Sequence, residues 1–270
     1  MRKMLPPRVK AAGRRGLTAI SKGIDRLLAG DGNAQAGPSA IVEDGAVDDT
    51  SQAGEISAIR ALIKDGFPKY LVDVGAHDGI TISNSRPLTL SGWEAILVEA
   101  NPRVYPALER ATAGMRNVRC ANVACSDRPG VSPLYFGSDS PGGAMATLCT
   151  DENPWFDAAR SDASTEVEVR TLTQLLDESR WPKDFSLLLV DTEGMDYEVL
   201  VGLDPDRYRP RIVVTEEYPW NPEKSRDKFR LLLDRGYSFN AQVGCNTMWI
   251  ANEHVDVCLG IVSSTRELSP

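Results

Sequence analysis

The sequence is poor in histidine, in paired cysteines and in long apolar runs, and each shortage removes a class of function. Two histidines among 270 residues cannot build a His-rich metal centre, which needs several imidazoles. The five cysteines, at 120, 125, 149, 245 and 258, never stand as C-x-x-C, so neither a zinc site nor a thioredoxin-like motif is expected. An odd, scattered set with no secretory signal suits a reducing cytosol, and the chain is expected to be cytoplasmic. No stretch of about 18 consecutive apolar residues occurs, so no membrane-spanning helix is expected.

Charge is unevenly spread. Residues 1–30 hold eight Lys/Arg and one Asp, residues 31–56 hold six acids and no base, and the remainder holds 22 bases and 31 acids, within a net charge of −8. A body that acidic does not attract a nucleic-acid backbone, so nucleic acid is not an expected partner. In the basic arm, Leu17, Ile20, Ile24, Leu27 and Leu28 fall on one helical face beside Lys22 and Arg26. That pattern suits peripheral contact with the anionic inner membrane surface, and a plain tail or a transit peptide fits the same residues. Residues 31–55 read as a flexible acidic linker, 56–262 as one folded domain and 263–270 as a disordered tail. Oligomeric state is not legible.

From residue 56 the apolar pattern alternates between strand and helix periods, which implies an α/β fold with a mostly parallel twisted sheet, helices on both faces and an antiparallel C-terminal strand. Strands are expected at 69–75, 94–100, 118–125, 185–191 and 211–217, and YSFNAQV with TMWIAN reads as a terminal hairpin. Helices are expected from Pro102 to about Ala113, at 172–179 with Thr171 as cap, at 196–203, and over KSRDKFRLLLDRGY. β pieces at 131–137 and 165–170 flank a loop long enough to be a lid or acceptor wall.

The organising stretch is KYLVDVGAHDG, residues 69–79: a buried strand running into a turn punctuated by Gly75 and Gly79. A dinucleotide fingerprint would place three glycines as G-x-G-x-x-G to receive a pyrophosphate. Asp73 occupies the first of those positions and repels phosphate; it suits a cationic group, such as the amino end of S-adenosylmethionine. Glu99 ends the second strand 26 residues later, where a βαβ unit presents a carboxylate to ribose hydroxyls.

Four blocks in order, VDVGAHDGITISNS, GWEAILVEANP, ANVACSD and LLLVDTEGMDYEVL, resemble the FkbM-type methyltransferases, which are S-adenosylmethionine-dependent enzymes with the class I methyltransferase (Rossmann-like) fold. The resemblance implies O-methylation of a hydroxyl, with a saccharide or glycolipid, either a small molecule or a lipid-linked one, as the expected acceptor. Cofactor contacts are expected from Asp73, Gly75, His77, Gly79, Glu99, Asn101 and Asp127, with Ser83, Asn84 and Ser85 facing the cleft. His77 stands where the family more often carries Asn.

Transfer to an alcohol oxygen requires a proton acceptor held in line with the methyl group. Asp191 is the first candidate, Glu193 the second and Glu217 the third; strand-end acids also cap helices, and Glu193 or Asp196 fits that role too. Clustered carboxylates at 191, 193 and 217 can alternatively hold Mg²⁺, and no spacing rule decides this. Trp155, Phe156, Tyr218 and Trp220 are candidates for stacking on a sugar ring or for packing. A non-catalytic binding or scaffold module that keeps the fold is the alternative reading; it would be expected to lose the acids that this chain retains.

Overall fold

The computed structural model describes residues 50–137, 146–150, 160–218 and 220–260, with only the backbone described for 160–162. The chain divides into two units, Met1–Ala46 and Val47–Pro270. The basic arm, most of the linker, the tail, and Trp155 and Phe156 lie outside the described residues.

In chain order the elements are α1 (Glu55–Leu62), β1 (Tyr70–Val74), α2 (Arg86–Leu90), β2 (Glu94–Val98), α3 (Tyr105–Ala111), β3 (Val118–Ala121), β4 (Ala124–Cys125), β5 (Gly130–Gly137), β6 (Ala146–Thr147) and β7 (Arg160–Arg170). There follow α4 (Leu172–Glu178), β8 (Asp184–Val190), α5 (Asp196–Val201), β9 (Arg209–Glu216), α6 (Pro222–Asp234), β10 (Tyr237–Val243), β11 (Asn246–Ala251) and α7 (Val255–Leu259). The main sheet has seven strands in the order β10-β11-β9-β8-β1-β2-β3. Pairs from β9 to β3 are parallel, and β11 alone runs against its neighbours. Strand order reverses at β1, the place where open α/β sheets leave a crevice beyond their carboxyl ends.

Alternation along the strands sends successive side chains to opposite faces. One face presents Leu71, Leu97, Leu189, Val214 and Met248 to Ile56 and Ile59 of α1, Leu88 of α2 and Leu108 of α3. On the other, Trp249 meets Phe229 of α6 edge-on at 4.8 Å between ring centroids. Thr171 caps α4 through a reciprocal pair: its Oγ1 accepts from Gln174 N at 3.2 Å, and its own N–H donates to Gln174 Oε1 at 3.1 Å.

Three expectations are corrected. The strand expected over 118–125 is two strands, because β4 leaves the main sheet and pairs with β7 in a separate four-stranded sheet, β4-β7-β5-β6. That sheet has its own small core of Ala124, Leu134, Phe136, Val167 and Val169. The third helix begins at Tyr105, so Pro106 rather than Pro102 occupies its first turn. Residues 50–55, expected in the linker, belong to the folded body: Thr50 Oγ1 donates to the Ser83 carbonyl at 2.6 Å, and fully buried Glu55 accepts from Asn246 Nδ2 at 3.1 Å.

Candidate functional site

The ladder register fixes the site. Val74 pairs with Val98 and with Val190, Val190 pairs with Thr215, and Glu216 pairs with Asn246. One residue further along, Glu99, Gly75, Asp191, Glu216 and Asn246 stand in a single row across five strands. By alternation, Glu99, Asp191 and Glu216 point to the same face as Leu97, Leu189 and Val214. Asp73 lies one pleat below on that face. A cavity of about 660 Å³ opens over this row and is lined by all six of these residues together with His77, Asn84, Glu193 and Glu217. Part of its lining comes from the second sheet, through Leu134 and Ala146, and from Leu148 just after β6.

Gly75 makes the row geometrically feasible. Its φ of +96° is a left-handed conformation, and a Cβ built there would collide with the Asp191 carbonyl oxygen. The backbone N–H groups of Gly75 and Ala76 both donate to the Val98 carbonyl, each at 2.9 Å. Next in the turn, His77 has φ +51°; its N–H donates to Glu99 Oε2 at 2.9 Å, while Asn101 N–H donates to Glu99 Oε1 at 2.7 Å. Glu99 therefore keeps one further lone pair on each oxygen for a ligand. Burial pushes its carboxyl up, and these two backbone donors pull it back. His77 Nε2 and Asn84 Oδ1 are buried without a hydrogen-bond partner.

Asp73 is 6% exposed. Burial pushes it up to about 6, with Glu99 adding to the rise and a hydrogen bond from Ser85 opposing it. Asp191 is exposed, but to the cavity, where protein surrounds it; that burial, followed by the charges of Glu193, Asp196 and Asp73, pushes it well above the ordinary carboxylate range. Burial and Asp196 push Glu193 up to about 7. Burial and then Asp191 push Glu216 up to about 11, with Lys228 opposing. Like charges this close cannot all ionise, so the cluster holds protons at neutral pH.

Asp196 is a structural knot: Oδ1 accepts from the N–H and Oγ1 of Thr192 at 3.0 and 2.6 Å, and Oδ2 from Glu216 N–H at 2.9 Å. It joins the turn after β8 to the end of β9. Thr147 Oγ1 of β6 donates to the Glu193 carbonyl at 2.7 Å, holding the same turn from the other side.

Not every expected residue reaches the cavity. Asp127 follows β4 on the second sheet and pairs with Arg128 at 3.2 Å. Gly79 faces α3, where a Cβ would press on Leu108 Cδ1 at 2.7 Å. Asn101 positions Glu99 from behind, and its Oδ1 accepts from Arg103 N–H at 2.9 Å. Tyr218 is core, 1% exposed beneath the Lys228 ammonium, whereas Trp220 lines the cavity. Among the described residues no group of three or more His, Cys, Asp or Glu side chains is arranged to hold a metal ion, so the Mg²⁺ alternative gains no support.

Sequence reasoning missed Lys228, fully buried under the acid row. Its Nζ donates to the Glu216 carbonyl, stands 3.8 Å from Glu217 Oε2 and lies 4.7 Å from the Tyr218 ring centroid. A signal existed: on α6, Ser225, Lys228, Phe229 and Leu232 form the buried stripe, and a lysine on such a stripe must meet a partner. Gln52 of the N-terminal segment also lines the cavity, and no local pattern marks it.

Solved structures show distant similarity. A methyltransferase FkbM from Methylobacillus flagellatus is 11% identical, with a TM-score of 0.41 over 67% of this chain and 43% of that one, so the chain spans less than half of its length. A putative O-methyltransferase from Klebsiella pneumoniae is 10% identical, with a TM-score of 0.43 over 77% and 83%. The fibrillarin of Aeropyrum pernix, solved with natively bound S-adenosyl-L-methionine, is 12% identical, with a TM-score of 0.39 over 73% and 74%. The curated proteins give no match. The methyltransferase FkbM domain model matches residues 73–239, from the buried acid of β1 into β10. With that match spanning most of the chain, and with a parallel sheet reversed only at β11, the protein belongs to the FkbM methyltransferase family and has the class I methyltransferase fold.

Proposed function

We propose that the chain is an S-adenosylmethionine-dependent O-methyltransferase acting on a hydroxyl of a saccharide or glycolipid. One observation carries the reading: a cavity at the sheet's switch point where Asp73, Glu99 and Asp191 surround a glycine turn, with no glycine triad to receive a pyrophosphate. The residues fit the cofactor. About 660 Å³ is ample for a nucleoside-sized ligand, Glu99 retains lone pairs for ribose hydroxyls, Asp73 offers a carboxylate to an ammonium, and the orphaned His77 Nε2 and Asn84 Oδ1 await partners. When bound, S-adenosylmethionine supplies an electrophilic methyl group.

The chain's own residues do the rest. Asp191, one strand from Gly75, is placed to take the hydroxyl proton in the state where the cluster's protons sit on Glu193 and Glu216 and its own carboxyl is ionised, with Glu193 next to it and Glu217 further along the rim. The cavity walls hold the acceptor oxygen in line. The reading places the enzyme in the cytoplasm, with residues 1–30 touching the inner membrane surface when the acceptor is lipid-linked.

Calorimetric titration tests the cofactor first. Micromolar binding of S-adenosylmethionine, about −8 kcal/mol, with none of NAD is expected. Binding of NAD instead, or of neither, would sink the transferase reading and leave a scaffold that retains the fold.

A further inference from the structure

The far end of the row departs from what the cofactor requires. Gly75 and Glu99 mark the cofactor end; Glu216 lies two strands from Gly75, roughly 10 Å away at ordinary strand spacing, with Asn246 beyond it. At this end Glu216 Oε2 and Glu217 Oε2 are buried without a hydrogen-bond donor, and both residues line the cavity. With its carboxyl ionised each orphaned atom is an acceptor, so a cationic donor that displaces the carboxyl proton completes the site. Four carboxyl groups, Asp191, Glu193, Glu216 and Glu217, face this space. The nearest cation, Lys228, lies beneath them, bonded to the Glu216 carbonyl and 3.8 Å from Glu217 Oε2. Among the described residues no Lys or Arg lines the cavity.

We infer that the methyl acceptor carries a protonated amine near the hydroxyl it presents, so that its class is an amino sugar or similar amino alcohol rather than a phosphorylated or carboxylated sugar. The inference rests on the methyltransferase reading above and names the substrate of that same site. An ammonium brings three donors to oxygens that lack them, in charge-assisted bonds stronger than those of a neutral hydroxyl. A phosphate or uronate would meet carboxylates with no facing cation and be repelled. Burial first, and then repulsion from neighbouring carboxylates, keeps protons on Asp191, Glu193 and Glu216. A bound cation relieves that repulsion, so amine binding expels protons to the buffer.

The test uses the full chain. S-adenosylhomocysteine is titrated first; the loaded protein is then titrated with glucosamine, glucose and glucuronic acid in two buffers of different ionisation enthalpy. Glucosamine is expected to bind about tenfold more tightly than glucose, with proton release, and glucuronic acid not to bind. Glu216→Gln and Glu217→Gln should each shrink the glucosamine advantage. The wild-type comparison among the three sugars stands without either variant. Glucosamine and glucose affinities within about twofold of each other, tighter binding of glucuronic acid, or no glucosamine binding by loaded protein would each overturn the inference. Failure to bind S-adenosylhomocysteine in the first titration would instead overturn the cofactor reading, and this one with it.

Discussion

Asp73 is kept where it is costly. A buried carboxyl whose folded value rises from 3.8 to about 6 is neutral in both states below 3.8. Between 3.8 and about 6 it ionises in the unfolded chain but not in the folded one, so stability falls as pH rises through that window and is level above it. Asp73→Asn removes this penalty: relative to wild type, the ligand-free variant should gain up to about 3 kcal/mol between pH 4 and pH 7, read from urea unfolding at both values, while losing affinity for S-adenosylmethionine. A flat difference across that range would mean the carboxyl is not held neutral. At Asp191 the expected trade is different. Asp191→Asn should leave cofactor affinity within a factor of about three and lower turnover by about 10²–10⁴-fold, followed as S-adenosylhomocysteine release with an accepted sugar; unchanged turnover would take Asp191 out of proton transfer.

At the scale of elements, the turn after β1 separates space from conformation. Gly75 and Gly92 both have left-handed φ, +96° and +83°, yet a Cβ at Gly92 meets nothing within 4 Å while one at Gly75 strikes the Asp191 carbonyl. Gly92→Ala should cost about 1–2 kcal/mol. Gly75→Ala should cost several times that or abolish folding, and near-equal thermal shifts for the two would show that the β1–β8 approach relaxes easily. Crowding at this glycine therefore acts first on β8 and the base candidate it carries, and only through them on the cofactor. The sequence made this strand, its glycines, the alternation of elements and the terminal hairpin legible, because apolar periods and turn residues are local properties. It did not reveal that β4 changes sheets, since two residues of strand have no period to read. It named Glu217 as the third base candidate and passed over Glu216, which stands in the row: that depends on the register of β9 against β8, a long-range property.

For the whole molecule, the boundary of the folded body is the testable quantity. Thr50 and Glu55 bond to the loop after β1 and to β11, and Ile56 is fully buried in the main core. Deleting residues 1–46 should leave the unfolding midpoint unchanged and reduce co-sedimentation with anionic vesicles. Deleting residues 1–56 should cost about 2–5 kcal/mol, and equal midpoints for the two truncations would return residues 50–56 to the linker. That segment was not legible as structure because nearly all of it is small or polar and its partners lie 33 and 191 positions away in sequence. The row across the sheet also has a consequence for motion. The amides of Gly75, Glu99, Asp191 and Glu216 donate to Val98 O, Ala121 O, Val74 O and Asp196 Oδ2 at 2.9 to 3.0 Å. The base candidate and the cofactor acids therefore ride on the ladder itself, and their hydrogen exchange should be among the slowest in the protein. Heat should abolish the binding site and the fold together, with no temperature at which the sheet persists and the site is already lost.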